Sequence, residues 1–343
     1  MTIYDISQKA GVSPTTVSRV INGAENVSEK TRQKVNAIIE EAGYTPNAFA
    51  QGLGHDTMRT VGILCVDPSE PRSCPSLSNA IGYIQRELRA HNYDAVLYCV
   101  GYDMAEKAHC INDMLRRRVD SIFVVGSFFV ESKEKNNQCI FDAAEKIPVM
   151  LINGFLQHKN IYSVLCDDEG ASFQAIGQML DAECRKVLFL HCGMSGSEKR
   201  KLEGCKKAHA SRGLAFSDDY VYECPHDLVE GTEFIEQLAE NLEFDAIFAT
   251  EDSVAVCALK YAQRHGVQIP DELCVMGYNN SVQCLCTNPE LSSVDQNIEM
   301  VCVTAVSMLI RRFKKSGVAV RAIPTHTVIA SEVILRETTR VRA

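Results

Sequence analysis

The opening stretch MTIYDISQKAGVSPTTVSRVIN, residues 1–22, leaves little freedom to fold as anything but two short helices around a tight turn. Thr2 can cap the first helix, with Asp5 three residues on to return the bond, as in a capping box. Ile6 and Ala10 supply the apolar stripe of that helix. Gly11 suits the left-handed backbone a tight turn demands, where a side chain would clash. Ser13 caps a second helix and Pro14 takes its first position, where no amide hydrogen is required. Val17, Val20 and Ile21 fall inward at helical spacing, leaving Thr15, Thr16, Ser18, Arg19 and Asn22 on the outer face. A small, polar face with one Arg suits a helix lying in a DNA major groove. A solvated amphipathic hairpin would share this pattern, but the residues that follow weigh against it. Ser28 opens a third helix, EKTRQKVNAIIEEAGY, with Val35, Ile38, Ile39 and Ala42 as its buried stripe. Pro46 ends it, Asn47 can cap a short segment AFAQGL, and a strand begins near Val61.

From Val61 onward strand and helix alternate. The strand-like runs are VGILCV, DAVLYCV, SIFVVGS, PVMLING, VLFLHC, AIFAT and LCVMGY, with HTVIASEVIL as the last. Helical patterns between them include LSNAIGYIQRELRAHN, FQAIGQMLDAE, EGTEFIEQLAENL and VAVCALKYAQRHG. Continuous apolar runs alternating with helices predict parallel sheets covered on both faces. Ligands of such folds bind at the carboxyl ends of the strands.

Composition narrows the class. Of 343 residues, 46% are hydrophobic and 23% charged, which suits globular domains and excludes a disordered chain. No apolar run approaches the roughly 18 residues a membrane span needs, and no signal-peptide pattern precedes the first helix, so a cytoplasmic protein is expected. Fifteen cysteines are spread along the chain, and Cys65, Cys99 and Cys274 sit inside apolar strands, as reduced cysteines acting as small hydrophobes do. Cys284 with Cys286, and His109 with Cys110, lack companions at zinc-site spacing, so no metal or other cofactor is expected. The net charge of −9 lies entirely beyond residue 60, because six basic and six acidic residues cancel within residues 1–60. A DNA-binding domain that is not basic binds weakly as one copy, which favours a dimer on a two-fold site. Catalysis is not expected. There is no Walker-type loop, no GxGxxG follows the first strand, and CGMSGS lacks the GxSxG spacing of a nucleophile elbow.

The motifs YDISQKAGVSPTTVSRVING, YTPNAFAQGL, RTVGIL, VDSIFVVGS, SVLCDDEGA, IPDELCVMGYNN, LSSVDQ and LRETTR occur in this order over nearly the whole chain. In them the sequence resembles the lactose/galactose repressor family of bacterial transcription regulators. The resemblance implies an N-terminal all-α helix-turn-helix domain plus an α/β periplasmic-binding-protein-like domain of two parallel-sheet subdomains around a cleft. The boundaries expected are 1–46 for the DNA-binding domain, 47–60 for a hinge helix and linker, and 61–343 for the effector-binding and dimerisation domain. The middle of the chain shows no linker, so the subdomains should interleave through several crossovers. The implied function is sequence-specific binding of double-stranded, pseudo-palindromic operator DNA by a homodimer, mostly as a repressor. Control would come from a small molecule, a sugar or related metabolite, in the cleft. No heptad tail of the tetramer-forming kind follows LRETTRVRA.

Residue roles follow from the same resemblance. Thr15 and Arg19 match base-reading positions, and Arg19 could contact a guanine bidentately. Thr16, Asn22, Tyr44 and Asn47 match positions that hold the backbone, and Tyr44 can equally cover the third helix. Leu53 matches a lever that wedges the minor groove at the operator centre. Gly52 inside the hinge weakens that helix by roughly 1 kcal/mol against Ala, so the hinge is expected to fold only in the dimer–DNA complex. The pocket positions are Ser76, Leu77, Asn153, Lys201, Glu251, Asn279 and Gln296. Several depart from the family. Lys201 in the loop GSEKRKLEGC stands where Arg is usual, Asn279 where Asp clamps ligand hydroxyls, Glu251 where Asn or Ser is usual, and Ser76–Leu77 where aromatics are common. Arg to Lys loses a planar fork, and Asp to Asn exchanges a charged acceptor for a donor. Asp167 and Asp168 fall at a strand-to-helix turn in the family and are read as a cap for a helix beginning near Gly170. Two other readings stand beside the main one. One is a global catabolite-type regulator controlled by a phosphorylated carrier protein. The other is a solute sensor that does not bind DNA.

Overall fold

The computed structural model describes residues 2–21, 26–44, 57–68, 70, 75–101, 104–314 and 323–340, with side chains omitted at 75–77 and 104–105. The chain divides into two compact units, residues 1–60 with 118–120, and the remainder.

The first unit holds α1 (Ile3–Ala10), α2 (Pro14–Ile21) and α3 (Glu29–Glu41). Its helix ends are set by local chemistry. The Thr2 hydroxyl accepts from the Asp5 amide while the Asp5 carboxylate accepts from the Thr2 amide at 2.7 Å, so both sides of the capping box are made. Gly11 closes α1 with φ 64°. Ser13 Oγ accepts from the Thr16 amide at 3.1 Å, and Ser28 Oγ from the Thr31 amide at 3.3 Å, one orphan donor at each helix start. Ile6, Ala10, Val17, Val20 and Val35 form the core, with Ile38, Ile39 and Tyr44 packed against it. Ala42 is the C-cap of α3 and only half-buried, so the buried stripe ends earlier than its spacing suggested. Asp120 belongs to this unit as well. Its carboxylate accepts from Thr57 Oγ1 at 2.9 Å and from the amides of Met58 and Thr60 at 2.9 and 3.0 Å.

The second unit begins with β1 (Thr60–Val66), α4 (Pro75–Ala90), β2 (Asp94–Val100), α5 (Met104–Arg116), β3 (Ser121–Val125), α6 (Gln138–Ala144), β4 (Val149–Ile152) and β5 (Ile161–Cys166). It continues with α7 (Asp168–Asp181), β6 (Val187–His191), α8 (Gly196–Ser211), β7 (Val221–Glu223), α9 (Leu228–Ala239), β8 (Ala246–Ala249), α10 (Asp252–His265), β9 (Cys274–Tyr278), α11 (Gln283–Cys286) and β10 (Ser292–Asp295). Last come α12 (Ile298–Phe313), β11 (His326–Ile329) and β12 (Glu332–Ile334). Two six-stranded sheets result, in the orders β11-β5-β4-β3-β1-β2 and β12-β10-β9-β8-β6-β7. The pairs β1–β3, β3–β4, β4–β5 and β5–β11 of the first sheet, and β6–β7, β6–β8, β8–β9 and β9–β10 of the second, run parallel, as expected, whereas β12 lies antiparallel to β10. The chain crosses between sheets after β5, after β10 and between β11 and β12. The subdomains therefore interleave, and α12 returns to pack Val301, Ala305 and Leu309 into the core of the first sheet.

Three local expectations are corrected. GSEKRKLEGC is helix, not loop: Ser195 caps α8 by accepting from the Glu198 amide. The helix after SVLCD starts at Asp168 instead of Gly170, with Asp167 as its cap, accepting from the Gly170 amide at 3.0 Å. HTVIASEVIL is not one strand but β11 and β12, which join different sheets. Helices α7 and α8 meet so closely at Gly204 that a Cβ there would lie 2.3 Å from the Glu169 carbonyl oxygen.

Candidate functional site

On α2, Val17 and Val20 are buried while Thr15 and Arg19 are exposed and Thr16 and Ser18 half-buried. The Thr16 hydroxyl lies 2.9 Å from Ser13 Oγ, so it also steadies the helix start. Tyr44 packs on the three-helix core, as the cover reading requires. Asn22, Asn47, Gly52 and Leu53 lie outside the described residues, as do the side chains of Ser76 and Leu77.

The remaining pocket positions gather at the carboxyl ends of the strands. Asn153 follows β4 with φ 60°, and its Oδ1 accepts from the Cys166 amide at 2.8 Å. The Cys166 thiol reaches Gln296 Oε1 at 3.6 Å, and Gln296 Nε2 donates to Asn279 Oδ1 at 2.7 Å. One chain of contacts thus joins Asn153, Gln296 and Asn279 across the two sheets. Lys201 points the other way. Its Nζ donates to Glu198 Oε1 at 2.9 Å and to the Thr250 carbonyl at 3.0 Å, and sits 4.0 Å over the Tyr278 ring. Burial pulls its pKa down, but Glu198 and Asp168 more than offset that, so the ammonium is held charged as an internal counter-ion. Glu251 Oε2 stands 3.6 Å from His226 Nδ1. Burial and the nearby Glu198 push its carboxyl up to about 8.

Beneath this layer lies a fully buried carboxylate absent from the expected site. Asp168 accepts from Ser197 Oγ at 2.8 Å, from Tyr278 OH at 3.0 Å and from Arg200 Nη2 at 2.7 Å. Burial and the Asp168 charge both drive the Tyr278 hydroxyl well above its usual range, so it stays a donor. Arg200 Nη2 also reaches the Asn153 carbonyl at 3.3 Å. Two more bonds join the subdomains here: Ser127 Oγ to Ser195 Oγ at 2.9 Å, and Lys199 Nζ to Ser132 Oγ at 2.8 Å. Ser197, Arg200 and Lys201 are one turn apart on α8, so the i, i+3, i+4 pattern would have exposed them had the segment been read as helix. Asp252 accepts from the Ser281 amide and Ser293 Oγ, each at 2.6 Å, and fixes the turns after β9 and around β10.

A cavity of about 290 Å³ opens beside these links, lined by Glu131, Asn153, Phe155, Lys199 and Arg200 among others. Of the five described pocket positions only Asn153 borders it.

Residues 2–47 match the family model for bacterial regulatory proteins of the lacI family, and residues 176–339 match the periplasmic binding protein-like domain. An HTH-type transcriptional regulator of Lachnoclostridium phytofermentans is 41% identical, over 99% of each chain. The chain belongs to the LacI family. Catabolite control protein A of Priestia megaterium is 31% identical over 93% of this chain and 94% of that protein. Among solved structures, a Lac repressor dimer bound to operator and the anti-inducer ONPF covers 99% of both chains with a TM-score of 0.84 at 22% identity, a likeness of fold. As a LacI-family member the chain is a DNA-binding transcription regulator. Helices α1 and α2 are its helix-turn-helix, and the two sheets are its periplasmic-binding-protein-like domain. Members of this family are transcription regulators. Among the described residues no helix is long and apolar enough to cross a membrane.

Proposed function

We propose that this LacI-family chain is a cytoplasmic, non-enzymatic repressor that binds a pseudo-palindromic operator as a homodimer and is controlled by a sugar or related polar metabolite in the cleft. Residues 1–46 bind DNA, 47–60 form the hinge, and 61–343 bind effector and dimerise. Thr15 and Arg19 read bases, Thr16, Ser18, Asn22, Tyr44 and Asn47 hold the backbone, and Leu53 wedges the operator centre. In the cleft, Asn153, Asn279 and Gln296 supply the amide donors and acceptors that hydroxyl groups need. Ser76 and Leu77 border the same ligand from α4. Lys201 and Glu251 shape the floor.

The observation that carries the control mechanism is the small set of hydrogen bonds linking the subdomains. Ser127–Ser195 and Ser132–Lys199 through side chains, and Arg200 to the Asn153 backbone carbonyl, are three links across one edge of the cleft. A ligand that competes for Arg200 or the Asn153–Gln296–Asn279 chain favours one closure angle over another. Only this difference in affinity between two closures can shift DNA binding. The chain contains no Trp and Tyr278 lies buried under Lys201, whereas Phe155 lines the cavity and is 46% exposed, so its ring can face a sugar there. Hydrogen bonds from the amide side chains supply the rest of the recognition.

The test is calorimetric titration of the full chain with a panel of mono- and disaccharides and their phosphates, alone and on operator DNA. One ligand whose affinity changes between free and DNA-bound protein supports the reading. Binding by none of them, with operator binding intact, refutes small-molecule control by this class.

A further inference from the structure

Three side chains that the regulator reading leaves without a common role converge at neighbouring strand ends of the second sheet. Cys192 directly follows β6, His226 lies between β7 and α9, and Glu251 lies between β8 and α10. The sheet order places β7, β6 and β8 side by side, so residues distant in sequence are brought to one edge of the cleft. Their ligand atoms all lie within 4.8 Å of one another, and the His226 Nδ1 to Glu251 Oε2 edge is 3.6 Å. A tetrahedral zinc with bonds of about 2.0–2.3 Å holds its ligand atoms about 3.3–3.7 Å apart. The His–Glu edge already has that length, and the thiol has to close by about 1.3 Å at most, a rotamer adjustment at a strand end. His226 and Glu251 are 12% and 17% exposed, sheltered yet reachable by solvent.

A buried carboxylate oxygen close to this trio is left without a partner. Glu198 and Glu251 are close enough for their charges to act on each other. The Lys201 ammonium nearby is engaged by Glu198 Oε1 and the Thr250 carbonyl. The second oxygen, Glu198 Oε2, is buried with no hydrogen-bond partner. Asp252, the next acid along, has its own partners in Ser281 and Ser293. A thiol, an imidazole and a carboxylate form a mixed sulfur, nitrogen and oxygen set. That set suits zinc, whereas calcium and magnesium want oxygen alone.

We propose that Cys192, His226 and Glu251 bind a zinc ion and leave its fourth position open to the cleft. The Cys192 thiol proton, and the Glu251 proton where its carboxyl carries one, are released to solvent on binding, because thiolate and carboxylate are the ligands. The open position takes water or an oxygen of whatever occupies the cleft, as at zinc sites with three protein ligands. Any effect of the ion on DNA binding rests on the regulator reading above, whereas ion binding itself does not.

The experiment uses the full chain, stripped of metal under reducing conditions and titrated with cobalt(II), whose bond to a thiolate gives a near-ultraviolet charge-transfer band. One equivalent per chain should saturate the band and zinc should abolish it. Cys192→Ser should remove it, while Cys286→Ser, at an exposed thiol elsewhere, should leave it intact. His226→Ala and Glu251→Gln guard against a misfolded Cys192 variant. Each should weaken cobalt binding at least tenfold, the loss that even an outer-shell change produces, with circular dichroism of the metal-free chain unchanged. A band that survives Cys192→Ser, falls equally with Cys286→Ser, or never forms at one equivalent overturns the proposal. Operator selection run in parallel with and without zinc keeps the two readings apart. Cobalt binding without operator selection overturns the regulator reading alone, and operator selection without the band overturns the zinc site alone.

Discussion

Replacing Asp168 by Ala probes how the cleft is held together. The carboxylate is wholly buried and takes three hydrogen bonds, from Ser197, Tyr278 and Arg200. Its removal leaves the Tyr278 hydroxyl buried without an acceptor, at a cost of about 1–3 kcal/mol. Ser197 is buried in the first turn of α8, so the loss of its bond to Asp168 adds about 1 kcal/mol. The Arg200 side chain is 27% exposed, so water replaces much of the lost ion pair and the residual cost is about 1 kcal/mol. The whole comes to about 3–5 kcal/mol. For a domain of this size that lowers the melting midpoint by about 6–20 °C. Asp168→Asn keeps the shape and one acceptor oxygen and should lose only about 1–2 kcal/mol. Differential scanning calorimetry of the full chain, with urea unfolding to check the slope, reads both. The reasoning fails if Asp168→Ala lies within about 1 kcal/mol of the parent, below the cost of one buried hydroxyl left unpaired. It also fails if Asp168→Ala and Tyr278→Phe add without coupling, since residues in contact show interaction energies of about 0.5–3 kcal/mol.

Three further substitutions probe other parts of the molecule. Gly204→Ala should overpack the α7–α8 contact, where backbone stands 2.3 Å from the added carbon, and lower stability by about 3 kcal/mol or more in the same calorimetry. Arg19→Ala should cost about 1–3 kcal/mol of discrimination at one operator base pair, seen by gel shift on singly substituted operators; a uniform loss across all of them would make Arg19 a phosphate contact instead. Asn279→Asp keeps the Gln296 contact and restores a charged acceptor, so it should raise affinity for hydroxyl-bearing ligands in the calorimetric panel, and an unchanged profile would remove Asn279 from the pocket.

The fold was legible wherever burial writes a simple pattern. Strands β3, β4, β6, β8 and β9 are buried along their whole length, and each reads as an apolar run, with one polar residue only at an end of β3 (Ser121) and of β6 (His191). The strands that escaped notice have physical reasons for doing so. In β10, Ser292 and Ser293 are fully buried but satisfied by Thr339 and Asp252, so a core strand looks polar. In β5, the buried Ser163 interrupts the run in the same way. Strand β7 is a three-residue edge with no buried residue.

The candidate site was legible only in part. The exposed face of α2 follows from helical spacing, because Val17 and Val20 must turn inward. The cleft does not follow from spacing, since strands from both sheets assemble it. Lys201 shows the limit. A motif position placed it in the pocket, but its ammonium is engaged by Glu198 and Thr250, and the cationic groups in the links between subdomains are its neighbours Lys199 and Arg200. Asp168 looked like a second cap beside Asp167. Only the packing of α7 against both α8 and the end of β9 makes it the acceptor for three donors.

Selection of genomic DNA fragments by the purified full chain tests the central claim most directly, with candidate ligands then added to the selected complex. A single pseudo-palindromic sequence, bound by a dimer and released or tightened by one polar metabolite, is the predicted result. A folded dimer that selects no sequence at all would contradict it.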